Sequence, residues 1–183
     1  MPLISLDQSQ LDSIIASINA RPKTNLLYEY TVTSSAVTSI VIPSLDIMFH
    51  DSYRIEIELF NATATAFSFF LYANGDTLAS NYSTQMNLTT GTSTTSAVVA
   101  NALFGYCDSS SRSLTVATLS LLTGGFLRWL SSCSRGTMSL PSMSSMSGIK
   151  KASIPNLTQL TLTSSVANSI GIGSTIRIYR GDY

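Results

Sequence analysis

Charged side chains are scarce in this sequence. Only 10 Lys and Arg and 10 Asp and Glu occur among 183 residues, so charged residues make up 11% of the chain and the formal net charge is zero. Ordinary soluble domains contain about 25% charged residues. Proteins that bind nucleic acid or an anionic membrane surface need a concentrated basic surface. The basic residues here are few and scattered, so we expect neither partner.

Histidine is equally rare, which removes most catalytic and metal-binding chemistry. His50 is the only one, and on an extended chain its neighbours Asp51 and Ser52 point away from it, so they cannot form a nucleophile–base pair. One His and two separated Cys do not supply the three or four ligands of a zinc site. No phosphate-binding glycine loop and no G-x-S-x-G motif occurs. We therefore expect no enzyme activity, no cofactor and no metal.

Cys107 and Cys133 are the only cysteines, and no C-x-x-C spacing joins them. We expect both thiols to be unpaired and buried, in a protein made in a reducing compartment, although the sequence alone also allows a disulfide. Long apolar runs are absent too, since the run 69–73 is far shorter than the ~20 residues of a membrane-spanning helix. Residues 1–7 show no basic segment of the kind that begins a secretory signal. We expect no membrane insertion.

Hydroxyl side chains take the positions that charged residues usually occupy. The sequence contains 32 Ser and 21 Thr, while 44% of its residues are hydrophobic. A chain of this length can bury roughly 70% of its unfolded surface in one domain. The composition therefore predicts a folded protein with a surface that is polar but nearly uncharged.

The N-terminal segment has the pattern of a short amphipathic helix. Ser5 and Gln8 match a capping box, and Arg21-Pro22 ends the pattern. The apolar residues that recur at helical spacing are Leu11, Ile14, Ile15 and Ile18. We expect residues 1–22 to form a helical arm whose apolar stripe docks either on its own domain or on a neighbouring subunit. Removal of residues 1–21 should then leave a folded domain that no longer assembles.

Residues 23–183 are expected to form one all-β domain, because short runs rich in Val, Ile, Thr, Tyr and Phe alternate with turn residues. The predicted strands are 26–34, 37–42, 53–61, 67–73, 82–88, 96–103, 113–122, 126–134, 157–163 and 174–180. Asn74-Gly75 and Gly124-Gly125 predict tight turns. About 8–10 antiparallel strands without crossover helices favour a β-sandwich of jelly-roll type, with an immunoglobulin-like sandwich as the alternative.

Two further segments are candidates for contacts with other molecules. Residues 137–148 form a Ser-rich stretch, which we predict to be a loop; its methionines Met138, Met143 and Met146 could mark an assembly surface or simply fold over the sandwich edge. Tyr82, Tyr106 and Trp129 could stack on a glycan, although aromatic residues are also common in strands. Glu56 and Glu58 share one face of a predicted strand, and Arg54 on the same face favours a plain exposed strand over a glycosidase pair.

Four segments of the sequence resemble a group of bacteriophage virion proteins. They read Y-R-I-E-I-E-L-F-N-A-T-A at 53–64, F-F-L-Y-A-N-G-D-T at 69–77, S-N-Y-S-T-Q at 80–85 and G-I-G-S-T-I-R-I-Y-R-G at 171–181. In that group a Y-x-I-x-I strand is followed by an L-Y-x-N-G-D-T turn and an N-Y-x-x-Q strand. Residues 92–147 do not align with it.

The resemblance implies a non-enzymatic jelly-roll subunit of a virion, made in the host cytoplasm. It would serve as a capsid decoration (cement) protein, as a minor capsid protein, or as part of the tail or spike. Its expected partners are copies of itself and other virion proteins. The alternative function is a carbohydrate-binding module that recognises a host surface glycan.

Overall fold

The computed structural model describes residues 25–90, 92–137 and 140–181. These residues form twelve β-strands, one single-turn α-helix, α1, at Ile47–His50, and one 3₁₀ turn at Ala79–Asn81. The first six strands are β1 Leu26–Thr31, β2 Ser39–Ile42, β3 Ser52–Phe60, β4 Phe67–Ala73, β5 Tyr82–Thr90 and β6 Ser93–Val99. The other six are β7 Leu103–Cys107, β8 Arg112–Leu122, β9 Phe126–Thr137, β10 Leu140–Lys150, β11 Leu160–Ser164 and β12 Thr175–Arg180. The predicted arm, residues 1–22, lies outside the described residues.

The strands form two antiparallel sheets that pack as a sandwich. The large sheet has the order β1-β12-β3-β8-β9-β10-β5-β6, and the small sheet has the order β2-β11-β4-β7. Eight of the strands have the topology of a jelly roll, in which a long antiparallel hairpin folds over itself into two sheets. The four strand pairs of this hairpin are β1 with β12, β2 with β11, β3 with β8 and β4 with β7. These pairs alternate between the two sheets. The predicted fold class is confirmed, with more strands than the 8–10 expected.

The remaining four strands are two insertions into the jelly roll. β5 and β6 lie in the connection between β4 and β7, and β9 and β10 lie between β8 and β11. They pair with each other and with β8, so the large sheet continues four strands beyond its jelly-roll part. The small sheet has no equivalent extension within the described residues. The outermost strand of this extension, β6, is mostly exposed.

Burial alternates along β3 and β4, so that every second side chain faces the core. In β3, Ile55, Ile57 and Leu59 are fully buried, while Glu56 and Glu58 between them face outward. The facing strand β4 buries Phe67, Phe69, Leu71 and Ala73 in the same way. Full burial of one such large side chain contributes about 1.5–3 kcal/mol. Both strands were predicted, β3 from its alternation of apolar and charged residues and β4 as a run of apolar residues, and both are confirmed.

The predicted strand 96–103 is wrong. β6 ends at Val99 and belongs to the large sheet, whereas β7 begins at Leu103 and belongs to the small sheet. Asn101 turns the chain between them: its side-chain oxygen accepts a hydrogen bond from the Leu103 N–H at 3.1 Å, and its carbonyl accepts one from Thr84 Oγ1 at 2.8 Å. Apolar residues lie on both sides of this corner in the sequence, so the composition did not indicate that one strand ends and another begins here.

The predicted loop at residues 137–148 is also wrong. From residue 140 onward this stretch is strand β10, which pairs with β9 from Leu140 to Ile149 and with β5 from Ser142 to Lys150. Serine has little intrinsic preference for strands, but pairing on both sides and burial of alternate residues decide the conformation. Ser142, Ser144 and Met146 are buried on the inner face, while Met143 and Ser145 are exposed on the outer face.

The two glycine-containing turns have the backbone conformation that was predicted. Asn74 and Gly75 have φ values of 51° and 73°, and Gly124 and Gly125 have 90° and 82°. The second turn joins the adjacent strands β8 and β9, as expected. The first is not a hairpin turn, because β4 and β5 lie in different sheets. Instead the Asn74 side-chain oxygen accepts hydrogen bonds from the Thr158 and Gln159 N–H groups just before β11.

Cys107 and Cys133 are free and buried, in agreement with the prediction of unpaired thiols. Each thiol lies near a backbone carbonyl, that of Ser111 for Cys107 and that of Tyr106 for Cys133. Burial raises the pKa of the Cys107 thiol. This cysteine therefore has a packing role rather than that of a reactive thiolate. Within the described part of the chain, no helix has the length and apolar character to span a membrane.

Candidate functional site

Two of the three aromatic residues predicted to contact a glycan are in the core. Tyr82 has no exposed surface and Trp129 is 2% exposed. The Trp129 indole lies between the rings of Tyr82 and Phe104, with centroid distances of 6.3 and 6.5 Å, and covers Gly148. Rings enclosed on both faces cannot stack on a sugar. The assignment of Tyr82 and Trp129 to a glycan surface is therefore wrong, and their role is to pack the extension against the sandwich.

Tyr82 also belongs to a buried polar cluster at the start of β5. Its hydroxyl donates to the Asp76 carbonyl at 2.7 Å and accepts from the Ala73 N–H at 3.1 Å. Lys150 Nζ lies 2.5 Å from the Asp76 carboxylate and 5.2 Å from the centre of the Tyr82 ring. Burial raises the pKa of Tyr82 to about 12. The hydrogen bond from Lys150, followed by the Asn81 and backbone hydrogen bonds, lowers the pKa of Asp76 despite its partial burial.

Tyr106, the third predicted aromatic residue, is half-buried on β7. Its hydroxyl lies 2.9 Å from the Met86 sulfur, and the Arg135 guanidinium lies 4.9 Å from its ring centre. Arg135 also pairs with Asp108 at 2.5 Å. The ring is thus already covered by a cation, and Tyr106 does not join Tyr82 and Trp129 in an exposed aromatic platform.

The predicted assembly residues are separated by the structure. Met143 is exposed on the outer face of β10, whereas Met146 is 3% exposed on the inner face, because a spacing of three residues places them on opposite sides of a strand. Met146 therefore cannot contact a partner. Met138 lies outside the described residues. So does the stripe of Leu11, Ile14, Ile15 and Ile18, whose docking role stays a prediction.

The outer face of the jelly-roll part of the large sheet carries balanced charge. Glu56 pairs with Arg54 at 2.6 Å and Glu58 pairs with Arg112 at 2.9 Å. Farther along the same face, Arg177 on β12 pairs with Glu29 on β1 at 2.7 Å. Both glutamates of β3 are thus engaged by arginines, which agrees with the interpretation of this row as an exposed strand face.

His50 ends the single turn of α1 and packs against aromatic rings. Its ring centre lies 4.8 Å from that of Phe49 and 5.8 Å from that of Tyr53. No group of three His, Cys, Asp or Glu side chains gathers anywhere in residues 25–90, 92–137 and 140–181. Nearby, Ile47, Met48, Leu122 and Ile154 are among the residues that line an open groove of about 650 Å³ at the end of the sandwich.

An uncharged surface lies on the outer face of the sheet extension, and we call it the neutral face. It is a lattice of three rows across the five strands β8, β9, β10, β5 and β6. The first row is Thr118, Leu130, Ser147, Gln85 and Val98. The second is Val116, Ser132, Ser145, Asn87 and Ser96. The third is Leu114, Ser134, Met143, Thr89 and Thr94.

The neutral face combines small hydroxyl groups with exposed apolar side chains. Leu114, Leu130, Met143 and Val98 are each at least half exposed, at 50%, 52%, 56% and 72%. A depression of about 450 Å³ lies over the small serines of the middle row. Two pairs of side chains on β5 and β6 are hydrogen-bonded across the strands: Ser96 to Asn87 at 2.6 Å, and Thr89 with Thr94 at 3.1 Å. The surface can therefore offer apolar contacts and hydroxyl groups without desolvating a charge.

Sequence reasoning identified only Met143 among these residues. The neutral face depends on the pairing order β8-β9-β10-β5-β6, which joins two insertions that are distant in the chain. The feature of the sequence that could have indicated this surface was the absence of any charged residue from 82–99. No protein-family model, no curated protein and no solved structure matches this chain.

Proposed function

We propose that this chain is a non-enzymatic structural protein of a bacteriophage particle, a jelly-roll subunit that packs against copies of itself and other virion proteins as a decoration or minor capsid protein. The observation that carries the proposal is the neutral face, fifteen outward residues on five adjacent strands with no charged side chain among them. The resemblance of residues 53–64, 69–77, 80–85 and 171–181 to phage virion proteins supports the same assignment.

The composition of the neutral face suits a protein interface. Desolvating a charge is costly, and removal of charged groups from the centre of an interface avoids that cost. Exposed Leu114, Leu130, Met143 and Val98 supply apolar area, and single-sign repulsion between identical copies is absent. A surface with charges of one sign would repel the same surface on a copy related by a two-fold axis.

The size of the neutral face indicates how strong each contact would be. Five strands at about 4.8 Å spacing and three rows about 7 Å apart cover roughly 500 Å², including a side-chain margin. Standard stable interfaces bury about 800 Å² on each partner. Contact through this face alone is therefore weak between two isolated copies. A particle that holds many copies side by side would supply the additional contacts.

The glycan-binding alternative loses its structural basis at two of its three residues. Tyr82 and Trp129 are buried, and Tyr106 is covered by Arg135. The described surface gives no specific observation in its favour, so self-assembly is the function that we carry forward.

The first experiment measures assembly of the full chain by native mass spectrometry and light scattering over a wide concentration range. We expect oligomers that grow with concentration. Ser132→Lys, at the centre of the neutral face, should shift assembly to higher concentration by on the order of tenfold, because a buried unpaired charge is costly. Ala64→Lys, in an exposed loop between β3 and β4, is the matched control and should assemble like the unmodified chain.

The second experiment tests the virion assignment directly. Particles produced from the genome that encodes the chain should contain this protein in many copies, as measured by quantitative mass spectrometry of purified particles. A chain that stays monomeric at all concentrations and is missing from the particles would refute the proposal.

A further inference from the structure

Strand β6 forms the outer edge of the large sheet. Its sequence is S-T-T-S-A-V-V, with no charged residue and no proline. It pairs with β5 in an uninterrupted register from Ser93 to Val99, and no described strand pairs with its other side. About three N–H and three C=O groups therefore point away from the sheet, in position to pair with another strand.

The other sheet edges are protected against such pairing. β1 has a register shift between Leu26 and Tyr28 and carries the charged Glu29. β2 is only four residues long. β7 lies against β9 and β10 of the opposite sheet. Short strands, bulges, charges and coverage are the usual means of blocking an edge. β6 has none of them, so its open edge is a specific feature of this fold.

Both faces of β6 are accessible, because the small sheet does not extend beneath it. Ser93, Thr94, Thr95 and Ser96 are all exposed, and Val98 is 72% exposed. A partner strand could thus approach the edge without displacing any described part of the chain. It would also cover part of the Val98 side chain, which is the most exposed of the large hydrophobic residues.

We propose that β6 pairs with β6 of a second copy, antiparallel about a two-fold axis at Ser96, so that two large sheets join into one. This inference rests on the proposed function and names one interface of the self-assembly. The cross-strand pairs would be Ser93 with Val99, Thr94 with Val98, Thr95 with Ala97, and Ser96 with itself. No like charges meet in any of them.

A second copy is the partner that the edge fits best. Ser96 is the middle residue of β6, so a two-fold axis there uses the full length of the strand, about 24 Å at 3.4 Å per residue. Directly opposite residues point to the same face of a sheet, so the neutral faces of the two copies become one continuous surface. Thr and Val side chains are among those that pair well across strands.

Disulfide trapping tests this geometry. In the proposed pair the two Ser96 Cα atoms are about 4.5–5.5 Å apart, which is within the range that a disulfide spans. Ser96→Cys should form a covalent dimer under mild oxidation, seen on a non-reducing gel, because both native thiols are buried. Ala64→Cys, which is also exposed, is the matched control and should remain monomeric on the gel.

Charge substitution tests the two-fold axis without a covalent bond. Ser96→Lys and Ser96→Asp each place like charges opposite each other, so each should weaken dimerisation by on the order of tenfold or more. An equimolar mixture of the two variants places opposite charges at the axis and should restore the dimer. Native mass spectrometry distinguishes the mixed dimer from the two homodimers, and circular dichroism confirms that the variants are folded.

The outcomes separate this proposal from the proposed function. If the chain assembles and Ser132→Lys weakens assembly, but Ser96→Cys gives no covalent dimer and the mixture restores nothing, the β6 pairing is overturned while the proposed function stands. If deletion of residues 1–21 abolishes dimers and Ser96→Cys still fails to crosslink, the arm is the contact and the pairing is again overturned. A chain that is monomeric at every concentration but present in the particles overturns the β6 pairing alone, whereas one that is monomeric and missing from the particles refutes both.

Discussion

The ion pair between Lys150 and Asp76 offers a quantitative test of how the sheet extension is attached to the jelly roll. Lys150 ends β10 and its side chain is 4% exposed, whereas that of Asp76, in the turn after β4, is 24% exposed. Removing one partner of a buried ion pair costs about 3–5 kcal/mol, because the other charge is left without compensation. Asp76→Asn leaves the more deeply buried charge, that of Lys150, unpaired. Because Asp76 keeps some contact with water, we expect the free energy of unfolding to fall by about 3 kcal/mol, the lower end of that range.

The size of the effect can be read from thermal unfolding. For a domain of 150–250 residues, 1 kcal/mol shifts the melting temperature by about 2–4 °C, so Asp76→Asn should lower it by roughly 6–12 °C. Lys150→Met is the matched variant: it fills the buried site with an apolar side chain and leaves Asp76 hydrogen-bonded to Asn81 and partly solvated. It should cost less than Asp76→Asn.

The effect should also depend on pH in a defined direction. The folded protein holds the pKa of Asp76 below its ordinary value. The stabilisation is therefore complete above the unfolded-state pKa of about 3.9 and is lost as the pH falls through the lower folded-state pKa. The difference in unfolding free energy between the unmodified chain and Asp76→Asn should shrink over that range in urea titrations. A difference below about 0.5 kcal/mol at pH 7, or one that does not change on acidification, would refute this reasoning.

Two packing predictions follow from the inner face of β10. Gly148→Ala should destabilise the fold by about 3 kcal/mol, because the added Cβ would lie 1.9 Å from the buried Trp129 ring; chemical denaturation measures this, and an unchanged midpoint would contradict the packing described. Ser144→Ala should be neutral or stabilise the fold by up to about 1 kcal/mol, since the Ser144 Oγ is buried without a hydrogen-bond partner among the described residues; a loss of more than 1 kcal/mol would indicate that this hydroxyl is bonded.

The jelly roll could be predicted where one face of a strand meets the core and the other meets water. β3 has that environment, and its buried Ile55 and Ile57 alternate with the outward Glu56. β4 and β12 were predicted as short runs rich in strand-forming residues, and on β4 the outward Phe70 and Tyr72 are also partly buried against the core. Local pattern is sufficient on β3 because burial alone selects the residue type on each face.

The sheet extension could not be predicted in the same way, because β10 buries serine as well as methionine. Ser142 and Ser144 face inward, yet Ser145 and Ser147 face outward, so residue type does not distinguish the two sides of the strand. The inner residues must be small where the Trp129 ring crosses β10, as Gly148 shows. That requirement comes from a residue on the neighbouring strand, and it has no counterpart in the local sequence of β10.

The same ambiguity concealed the neutral face and the open edge. Ser and Thr together make up 53 of the 183 residues. Their number alone does not locate a surface, because hydroxyl groups have three different roles in this fold. Some fill tight inner positions, some form the hydrogen bonds of turns, and others remain exposed on β9, β10, β5 and β6. The exposed group lies on the part of the large sheet that extends beyond the small sheet. Because these exposed hydroxyl groups lie beside the exposed Leu130, Met143 and Val98, in a surface that a neighbour can cover without desolvating a charge, this part of the fold is where we expect a neighbouring copy.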